Sequence, residues 1–432
     1  MTHTPFVSNH CPTTAIVFVS QNLFYGQLPQ RAVFVFTLVV CLSAIAGGLG
    51  SATFSNYFKE VYHVDSAQRG FLEIPRESPG VLCALIISAL AGFSDIGIAA
   101  VSQVLVMVGL MVMGAFSPSY GMMMIFLFIQ SLGMHLFMPL NDAISMDLAR
   151  EGEVGKTLGN FKSKANMCTM VTAFVIFAGY RWGFFSFEDK ILKPFVIAAI
   201  LSLIAAGLLV YMKKIMPRTQ IQAKTKSKFV MRKKYMPYYL TLVAYGCQKR
   251  IKLVFGPWII IELMGKGADT VALLGIVTSF IGAFFSKYLG KMLDEKGLKY
   301  TMIFEGGYLL VVIAALGAAA GALERGGLGS HGIWVFLVYC LYILAFLLEQ
   351  FNMVHAFMMR KLAIDPSEVT ASLSVGLSLD HILAITVSAV LGVIWEKFGA
   401  EYVFFLTAAT SLMQIGVGLY MGRQLAKQEM QR

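Results

Sequence analysis

Apolar residues come in long continuous runs along almost the whole chain, separated by short polar connections. Runs of about eighteen or more mostly apolar residues can cross the roughly 30 Å hydrocarbon core of a bilayer as helices. The roughly ten-residue alternating segments of outer-membrane barrels are absent, which leaves helices as the spanning structure. The pattern predicts twelve helices, at about 31–57, 69–94, 98–117, 120–146, 157–180, 191–213, 237–262, 268–292, 300–323, 332–358, 368–395 and 399–422.

The longest polar connection, KKIMPRTQIQAKTKSKFVMRKK at 213–234, falls between the sixth and seventh predicted helices. It divides the chain into two sets of six. We therefore expect an all-α polytopic membrane protein with two six-helix pseudo-repeat bundles around a central cavity. The predicted segments are an N-terminal tail (1–30), a first bundle (31–213), a basic linker (214–236), a second bundle (237–422) and a C-terminal tail (423–432).

The distribution of basic residues predicts the orientation. With the linker placed in the cytoplasm, alternation of the helices puts about 21 Lys and Arg on the cytoplasmic side and about 8 on the other. Cytoplasmic loops carry such an excess, so both termini are predicted to be cytoplasmic in a plasma membrane, or in the inner membrane of a Gram-negative bacterium. The first 30 residues have neither a basic start nor a small-residue cleavage site, so we expect no signal peptide.

Composition agrees with a membrane protein. The chain is 57% hydrophobic and 14% charged, with a mean hydropathy of +0.70, whereas soluble domains are about 25% charged. The net charge of +11 would suggest nucleic acid in a soluble protein, but here the basic residues bracket apolar spans, so we expect no nucleic-acid partner. Six cysteines without a CxxC pair are read as buried thiols, and no cofactor or metal is predicted.

The two halves can be compared by shifting one onto the other. A shift of 215 residues lays Asn166 on His381 and His135 on Gln350, while a shift near 204 lays Thr37-Leu-Val on Thr241-Leu-Val. Two polar positions inside predicted helices coincide at one offset, which favours an internal repeat of the kind found in many transporters.

With these features the chain resembles the major facilitator superfamily of secondary transporters. The family's loop motif, roughly G-x-x-x-D-R-x-G-R-K, has a match at GKMLDEKGLK from Gly290 to Lys299, and a degraded first copy in LAGFSDIG, which contains Asp95. The resemblance implies that Asp294, Lys296 and Asp95 hold the cytoplasmic ends of the two halves together, and that a monomer can function. The Gly-Pro-rich motif of drug antiporters and the PESPR word of sugar porters are missing, which argues against those subfamilies.

Asp380 and His381 lie side by side about midway along the eleventh predicted helix. An ionisable residue deep in a bilayer costs roughly 2.5–3.5 kcal/mol on insertion scales, so its retention points to function or to a specific partner. Adjacent residues point about 100° apart on a helix. We interpret Asp380 as the first candidate proton carrier, tuned by His381, and a structural ion pair as the alternative. Sodium could replace the proton, since carboxylates also coordinate sodium.

Two further polar clusters interrupt predicted helices. Gln248-Lys249-Arg250-Ile251-Lys252 splits the seventh into two short apolar pieces, so these cations either bind an anionic group of a substrate or neutralise Glu349 and Asp380. In the tenth, Glu349 is the second candidate proton carrier and Gln350, with Asn166 of the fifth, is assigned to substrate binding. His355 lies near the predicted helix end, where its side chain is expected to reach the interface.

The stretch FLEIPRESPG opens the second predicted helix with Glu73, Arg76 and Glu77. We assign these residues to the outer half of the substrate pathway; the alternative is that Pro75 is the first helical residue, which places Glu73 in the loop. Lys162 and Lys164 are expected to reach the cytoplasmic interface. Asp142 is assigned to a helix end.

The sequence thus predicts a secondary active transporter that moves a small polar, anionic or zwitterionic solute by alternating access with proton coupling. Proton-coupled efflux of drugs or metabolites is the second reading. An intramembrane enzyme is disfavoured because no HExxH, G-x-S-x-G or zinc-type spacing occurs. A channel is disfavoured because the buried charges mix signs.

Overall fold

The computed structural model describes residues 30–64, 66–116, 118–216, 230–327 and 332–430. Most of the predicted N-terminal tail and of the basic linker lies outside these residues. The first six helices are α1 (Gln30–Tyr62), α2 (Ser66–Ala89), α3 (Asp95–Ala115), α4 (Tyr120–Asp147), α5 (Val154–Arg181) and α6 (Lys193–Ile215).

The second set of six follows the linker. The seventh helix, α7, is Met236–Arg250 continued by a π-helical turn (Ile251–Phe255), a short α turn (Gly256–Trp258) and a second π-helical turn (Ile259–Leu263). Then come α8 (Ala268–Glu295) and α9 (Gly297–Glu324). The tenth, α10, is Ile333–Phe346 and Asn352–Leu362 joined by a 3-10 segment (Leu347–Phe351). The last are α11 (Glu368–Phe398) and α12 (Ala400–Ala409 continued by Ser411–Met430). The predicted all-α fold is confirmed: in the part of the chain that is described, twelve helical rods and no strand are present.

Nine of the described helices are long and apolar enough to cross a membrane by length and composition. The remaining rods are α2, α5 and α7, and they carry polar residues inside their length. Helix α2 contains Pro75 and Pro79 together with Arg76 and Glu77. Because α2 begins at Ser66, Pro75 lies within the helix, and the alternative that it is the first helical residue is wrong. All three also expose apolar side chains, among them Leu85 of α2, Phe174 of α5 and Ile261 of α7.

The irregular turns of α7 and α10 have local causes. Pro257 has no N–H to donate, which breaks the regular helical ladder in the middle of α7. A Cβ on the neighbouring Gly256 would lie 2.7 Å from the carbonyl oxygen of Ile251 and 2.8 Å from Cε2 of Phe346, so glycine allows α7 and α10 to pack closely there. The 3-10 segment of α10 carries Glu349 and Gln350. Both irregular segments thus border the polar clusters that the sequence singled out.

Each half has its own apolar core. The first half packs α3 against α4 and α6, and α1 against α5 and α6, while the second packs α9 against α12 and α11 against α7 and α12. Across the middle, α5 packs on α8 and α2 packs on α11.

The contacts between the halves follow the internal repeat. Asn166 of α5 donates from Nδ2 to Oε1 of Gln350 of α10 over 2.8 Å, and the rings of His135 of α4 and His381 of α11 lie 4.5 Å apart. The 215-residue shift maps Asn166 onto His381 and His135 onto Gln350, so one contact is the repeat-related equivalent of the other. This pairing indicates a pseudo-two-fold relation between the halves.

We define the linker end of the molecule as the end where α6 finishes and α7 starts. There Asp294 at the end of α8 accepts hydrogen bonds from the backbone N–H groups of Gly155 (2.8 Å) and Lys156 (2.6 Å) in the first turn of α5. A Cβ on Gly155 would lie 2.5 Å from the carbonyl oxygen of Gly290, so the two backbones touch. Arg360 also bonds to Asp147 over 2.9 Å. The two halves are therefore held together at the linker end.

Candidate functional site

A cavity of about 120 Å³ lies between the halves, on the linker-end side of the middle of the bundle. Helices α4 and α5 line it from the first half and α7, α10 and α11 from the second. Its ionisable lining residues are Asp142, Lys162, Lys249, Glu349, His355 and Asp380, and Tyr238 and Tyr245 add aromatic surface. The cavity therefore presents both signs of charge.

Lys249 and Asp380 form an ion pair in the cavity wall. Nζ of Lys249 on α7 lies 2.7 Å from Oδ2 of Asp380 on α11, and the side chains are 17% and 7% exposed. A buried charge needs such a partner, because desolvating either ion alone costs several kcal/mol. Asp380 Oδ1 has no hydrogen-bond partner among the described residues. The pair thus keeps one acceptor site unfilled beside the cavity.

The other predicted cations have separate partners. Lys252 pairs with Glu349, which lines the cavity from α10. Arg250 is buried and donates from Nε to the carbonyl of Gly246 in its own helix. The two lysines therefore neutralise the two carboxylates, which is the alternative that the sequence left open for this cluster.

His381 points away from the cavity wall toward the first half. Its Nδ1 lies 2.8 Å from Oε2 of Glu77 on α2, and its ring packs edge-on against that of His135. One polar atom of each of these three side chains lies within 4.8 Å of the others. Asp380 and His381 are adjacent on α11, so this helix carries both the ion pair in the cavity wall and a contact with α2 of the other half.

Glycine makes this contact possible. A Cβ on Gly80 of α2 would lie 2.4 Å from Cδ2 of His381, which is closer than any real contact. One turn away, Ser378 donates to the carbonyl of Gly80 over 3.2 Å and accepts from the N–H of Ala84 over 3.0 Å. α2 and α11 are therefore held together by backbone groups as well as by side chains.

The structure corrects two assignments to helix ends. Lys162 and Asp142 line the cavity, and within the described residues neither forms an ion pair. Asp142 accepts a hydrogen bond from Asn352 of α10 over 3.4 Å. The position of Lys162 already argued against a place at the helix end, because it lies more than two turns after Val154, the first residue of α5.

The interpretation of His355 as a residue at the membrane interface is also wrong. Its side chain is 2% exposed, and Nε2 lies 2.9 Å from Oε1 of Glu305 on α9, whose side chain is 0% exposed. Sequence reasoning missed Glu305 altogether, although it stands alone in the apolar run of the ninth predicted helix.

The remaining predicted site residues lie outside the cavity. Gln350 and Asn166 bind each other across the interface. Arg76 is half-buried at 3.5 Å from Glu77, and the side chain of Glu73 is outside the described part of the structure.

The three residues expected to hold the cytoplasmic ends of the two halves together have different contacts. Asp95, the first residue of α3, accepts from Thr370 of α11 over 2.9 Å and so joins Asp294 as a contact between the halves. Lys296 instead lies over the ring of Tyr300 in its own half, 4.6 Å from the centroid.

Comparison with known proteins identifies the family. A sequence profile of the Major Facilitator Superfamily matches residues 36–363. The fold is similar to FucP in its outward conformation, with a TM-score of 0.70, 14% identity and coverage of 90% of this chain and 98% of FucP. It is also similar to the proton:xylose symporter XylE, with a TM-score of 0.68, 15% identity and coverage of 92% and 96%.

A third similar structure is a bacterial homologue of the iron transporter ferroportin in an outward-facing state, with a TM-score of 0.67, 12% identity and coverage of 91% and 100%. No curated protein sequence matches the chain. At these identities the structural likeness shows the fold, whereas the profile match extends over well more than half of the sequence. The chain is therefore a member of the Major Facilitator Superfamily.

Proposed function

We propose that this protein is a secondary active transporter that couples the movement of a small anionic or zwitterionic solute to a proton, by alternating access of its two halves. The observation that carries the proposal is the position of α11. Asp380 pairs with Lys249 in the cavity wall, and the next residue, His381, contacts Glu77 of the other half. Protonation of Asp380 therefore occurs one residue away from a contact that must break when the two halves separate.

The ion pair offers a simple coupling step. When Asp380 is ionised, it holds the ammonium group of Lys249. A proton on Asp380 removes its charge and releases Lys249, which then binds the negative group of a solute. Lys162 supplies a second cation and Asp142 an anion, so a zwitterion finds both complements. Proton and solute thus occupy the cavity together, which is the requirement for symport. Glu349, already paired with Lys252, is the second candidate proton carrier.

The basic linker and the excess of Lys and Arg on its side support a cytoplasmic position of the linker end. The inter-half contacts at that end then close the cytoplasmic side, which supports access from outside. Two neighbouring structures of the same fold support proton symport as the activity: FucP is a fucose:proton symporter of E. coli, and XylE is a proton:xylose symporter. A human organic anion transporter also has this fold (TM-score 0.62, 12% identity, covering 91% of this chain and 100% of that one).

The test is solute-driven proton flux in proteoliposomes that contain the pH-sensitive dye pyranine. A panel of monocarboxylates, dicarboxylates, amino acids and hexoses is added with and without sodium. We expect internal acidification with one charged class, independent of sodium, and loss of the signal in Asp380→Asn and Lys249→Gln. Glu396→Gln, an exposed carboxylate on the same helix, is the matched control. Flux that requires sodium, or that survives Asp380→Asn, contradicts the proposed coupling.

Efflux with the same coupling is the second candidate, because alternating access runs in either direction. It predicts that the same solutes, loaded inside the vesicles, leave in exchange for protons. The direction of the dye signal under opposite pH gradients separates the two cases.

A further inference from the structure

A second polar cluster lies behind the cavity wall, inside the second half. Its members come from four helices: Glu305 of α9, His355 of α10, Gln414 of α12 and Gln248 of α7. All four residues are buried. Only His355 also lines the cavity, so its imidazole lies between the cavity and Glu305.

Two side chains of the cluster approach the same oxygen of Glu305, Gln414 through a hydrogen bond and His355 at ion-pair distance. Gln414 donates from Nε2 to Oε1 of Glu305 over 3.0 Å, and His355 Nε2 lies 2.9 Å from the same oxygen. Gln414 is itself positioned by Gln248, which donates to Gln414 Oε1 over 2.8 Å and to Ser411 over 2.9 Å. Oε2 of Glu305 and both ring nitrogens of His355 have no hydrogen-bond partner among the described residues, so the imidazole approaches Oε1 of Glu305 without the geometry of a hydrogen bond.

This arrangement is unusual for a purely structural site. Ionised carboxylates are almost never fully buried unless they are paired, and the ionisable group nearest to Glu305 is an imidazole that can be neutral. A purely structural hydrogen-bond role would be filled by glutamine, as at positions 248 and 414. The carboxylate instead has an unfilled oxygen that can carry a hydrogen, and the imidazole beside it can pass one on.

Other ionisable groups surround the pair. Tyr245 of α7 packs its ring edge-on against His355, with centroids 4.9 Å apart. Its phenol lies within electrostatic range of Glu305 itself, of Glu349 and Asp380 in the cavity, and of Arg250 on the same helix. From α8, Tyr288 packs against Phe304, the neighbour of Glu305. Of these ionisable groups, His355 alone lies within ion-pair distance of Glu305 among the described residues.

We propose that Glu305 and His355 form a second proton-binding site, in which a proton from the cavity passes through the imidazole of His355 and is held on the carboxylate of Glu305. No bond other than those to the proton forms or breaks. Binding at this site is independent of the solute. Its part in transport rests on the proposed function: with Asp380 as the first site, one solute molecule would move with two protons.

Infrared difference spectroscopy tests the binding without a known solute. Reconstituted protein is titrated between acid and alkaline pH, and the carbonyl stretch of protonated carboxyl groups is followed. We expect one such band to vanish in Glu305→Gln and to persist in Asp380→Asn. The glutamine still accepts the hydrogen bond of Gln414, so this variant should fold. A spectrum of Glu305→Gln identical to that of the wild type overturns the proposal.

A second variant covers the case in which Glu305→Gln does not fold. Gln414→Leu removes the donor to Oε1 but leaves the carboxyl group in place. A pH-dependent carboxyl band that belongs to Glu305 should therefore shift in frequency in Gln414→Leu. The absence of any shift would show that the titrating group is elsewhere.

The role in transport is measured with the dye-loaded vesicles, using whichever solute class gives a signal. We expect the proton-to-solute ratio to fall from two to one in Glu305→Gln, and the initial rate of proton entry to fall in His355→Gln. A ratio of one in the wild type contradicts the coupling role. If no solute drives flux in any variant, the proposed function fails while the infrared result on Glu305 stands.

Discussion

At the scale of single residues, Gly80 is a position where a small change should have a large effect. Its missing side chain lets His381 lie against α2, with its ring fixed by Glu77 and His135. In Gly80→Ala the new methyl group overlaps that ring, so either the ring or the helix must move. We expect a loss of about 1–3 kcal/mol, typical of overpacking, seen as a lower melting temperature of the purified protein.

The control for this substitution is Gly47→Ala in α1. A Cβ at Gly47 meets no atom within 4 Å, and alanine is the better helix former. We expect Gly47→Ala to leave the melting temperature unchanged or slightly raised. An equal decrease of the melting temperature in both variants would show that the close approach of His381 to α2 does not contribute to stability.

The ion pair between Lys249 and Asp380 should behave as a unit. Removing one partner leaves an uncompensated buried charge and should cost about 3–5 kcal/mol, whereas removing both should cost much less. We expect Lys249→Met to lower the melting temperature sharply, and the double variant Lys249→Met with Asp380→Asn to recover most of the loss. The same double-variant experiment on the surface pair Lys291 and Glu295 should show almost no coupling. Additive losses at Lys249 and Asp380 contradict the structure.

At the scale of helices, the sequence was a good guide to which segments are helical and a poor guide to which side chains meet. Membrane insertion depends on the apolar character of one segment at a time, so apolar runs predicted the twelve helices, including α2, α5 and α7 with the polar residues inside them. Pairing depends on how helices pack. Lys249 and Lys252 share a helix face, and nothing in their spacing shows that the first meets Asp380 and the second Glu349.

The distance of a residue from the end of its helix was a poor predictor of whether its side chain is exposed. It predicted that His355 and Lys162 reach the interface, because long or polar side chains near an end usually do so. Both side chains instead turn inward, toward Glu305 and the cavity. The 3-10 segment before Asn352 contributes to this result, because it changes the rotation of the part of α10 that carries His355 relative to the part before it. Periodicity counted along a regular helix cannot foresee such a change.

The start of α11 should show a pH-dependent contribution to stability. Asp365, in the connection before α11, accepts a hydrogen bond at Oδ1 from the backbone N–H of Ser367 over 2.7 Å, and this bond lowers the pKa of the carboxyl group. Since the pKa is lower in the folded protein than in the unfolded chain, the stabilisation is present above the unfolded pKa of about 4 and is lost as the pH falls through the folded pKa.

We therefore expect Asp365→Ala to cost about 1 kcal/mol at neutral pH, and the difference from the wild type to shrink below about pH 4. Melting curves at a series of pH values measure it. Glu151→Gln removes another exposed carboxyl group, in the connection between α4 and α5, and serves as the control. A difference that stays constant with pH would mean that the charge of Asp365 makes no contribution.

At the scale of the whole molecule, the orientation in the membrane can be tested directly. The excess of Lys and Arg predicts that both termini and the basic linker are cytoplasmic. A fluorescent protein fused after the C-terminus should fluoresce, because it folds only in the cytoplasm, and alkaline phosphatase at the same place should be inactive. The opposite pattern would reverse the assignment of the linker end, and with it the side from which the cavity is reached.

The contacts at the linker end should set the balance between closed and open states. Asp294 holds two N–H groups at the start of α5, where the helix dipole also favours a negative charge, and Arg360 binds Asp147 nearby. Removing the charge of Asp294 should cost the closed state about 1–2 kcal/mol, which changes the ratio of closed to open molecules roughly 5- to 30-fold. Asp294→Asn combined with Arg360→Gln should add a further shift in the same direction.

Spin labels at Glu151 and Glu295, both exposed at this end, would report the change as a second, longer distance in pulsed spin-resonance measurements on a cysteine-free background. The control is Lys291→Gln, one turn before Glu295 on the solvent side of α8, which should leave the distribution unchanged. If the distances in Asp294→Asn and in the double variant match the wild type, the backbone contact of Gly155 with Gly290 is enough to keep the end closed. Closure would then be fixed by packing, and binding of solute and protons would have to supply the energy that separates those two glycines.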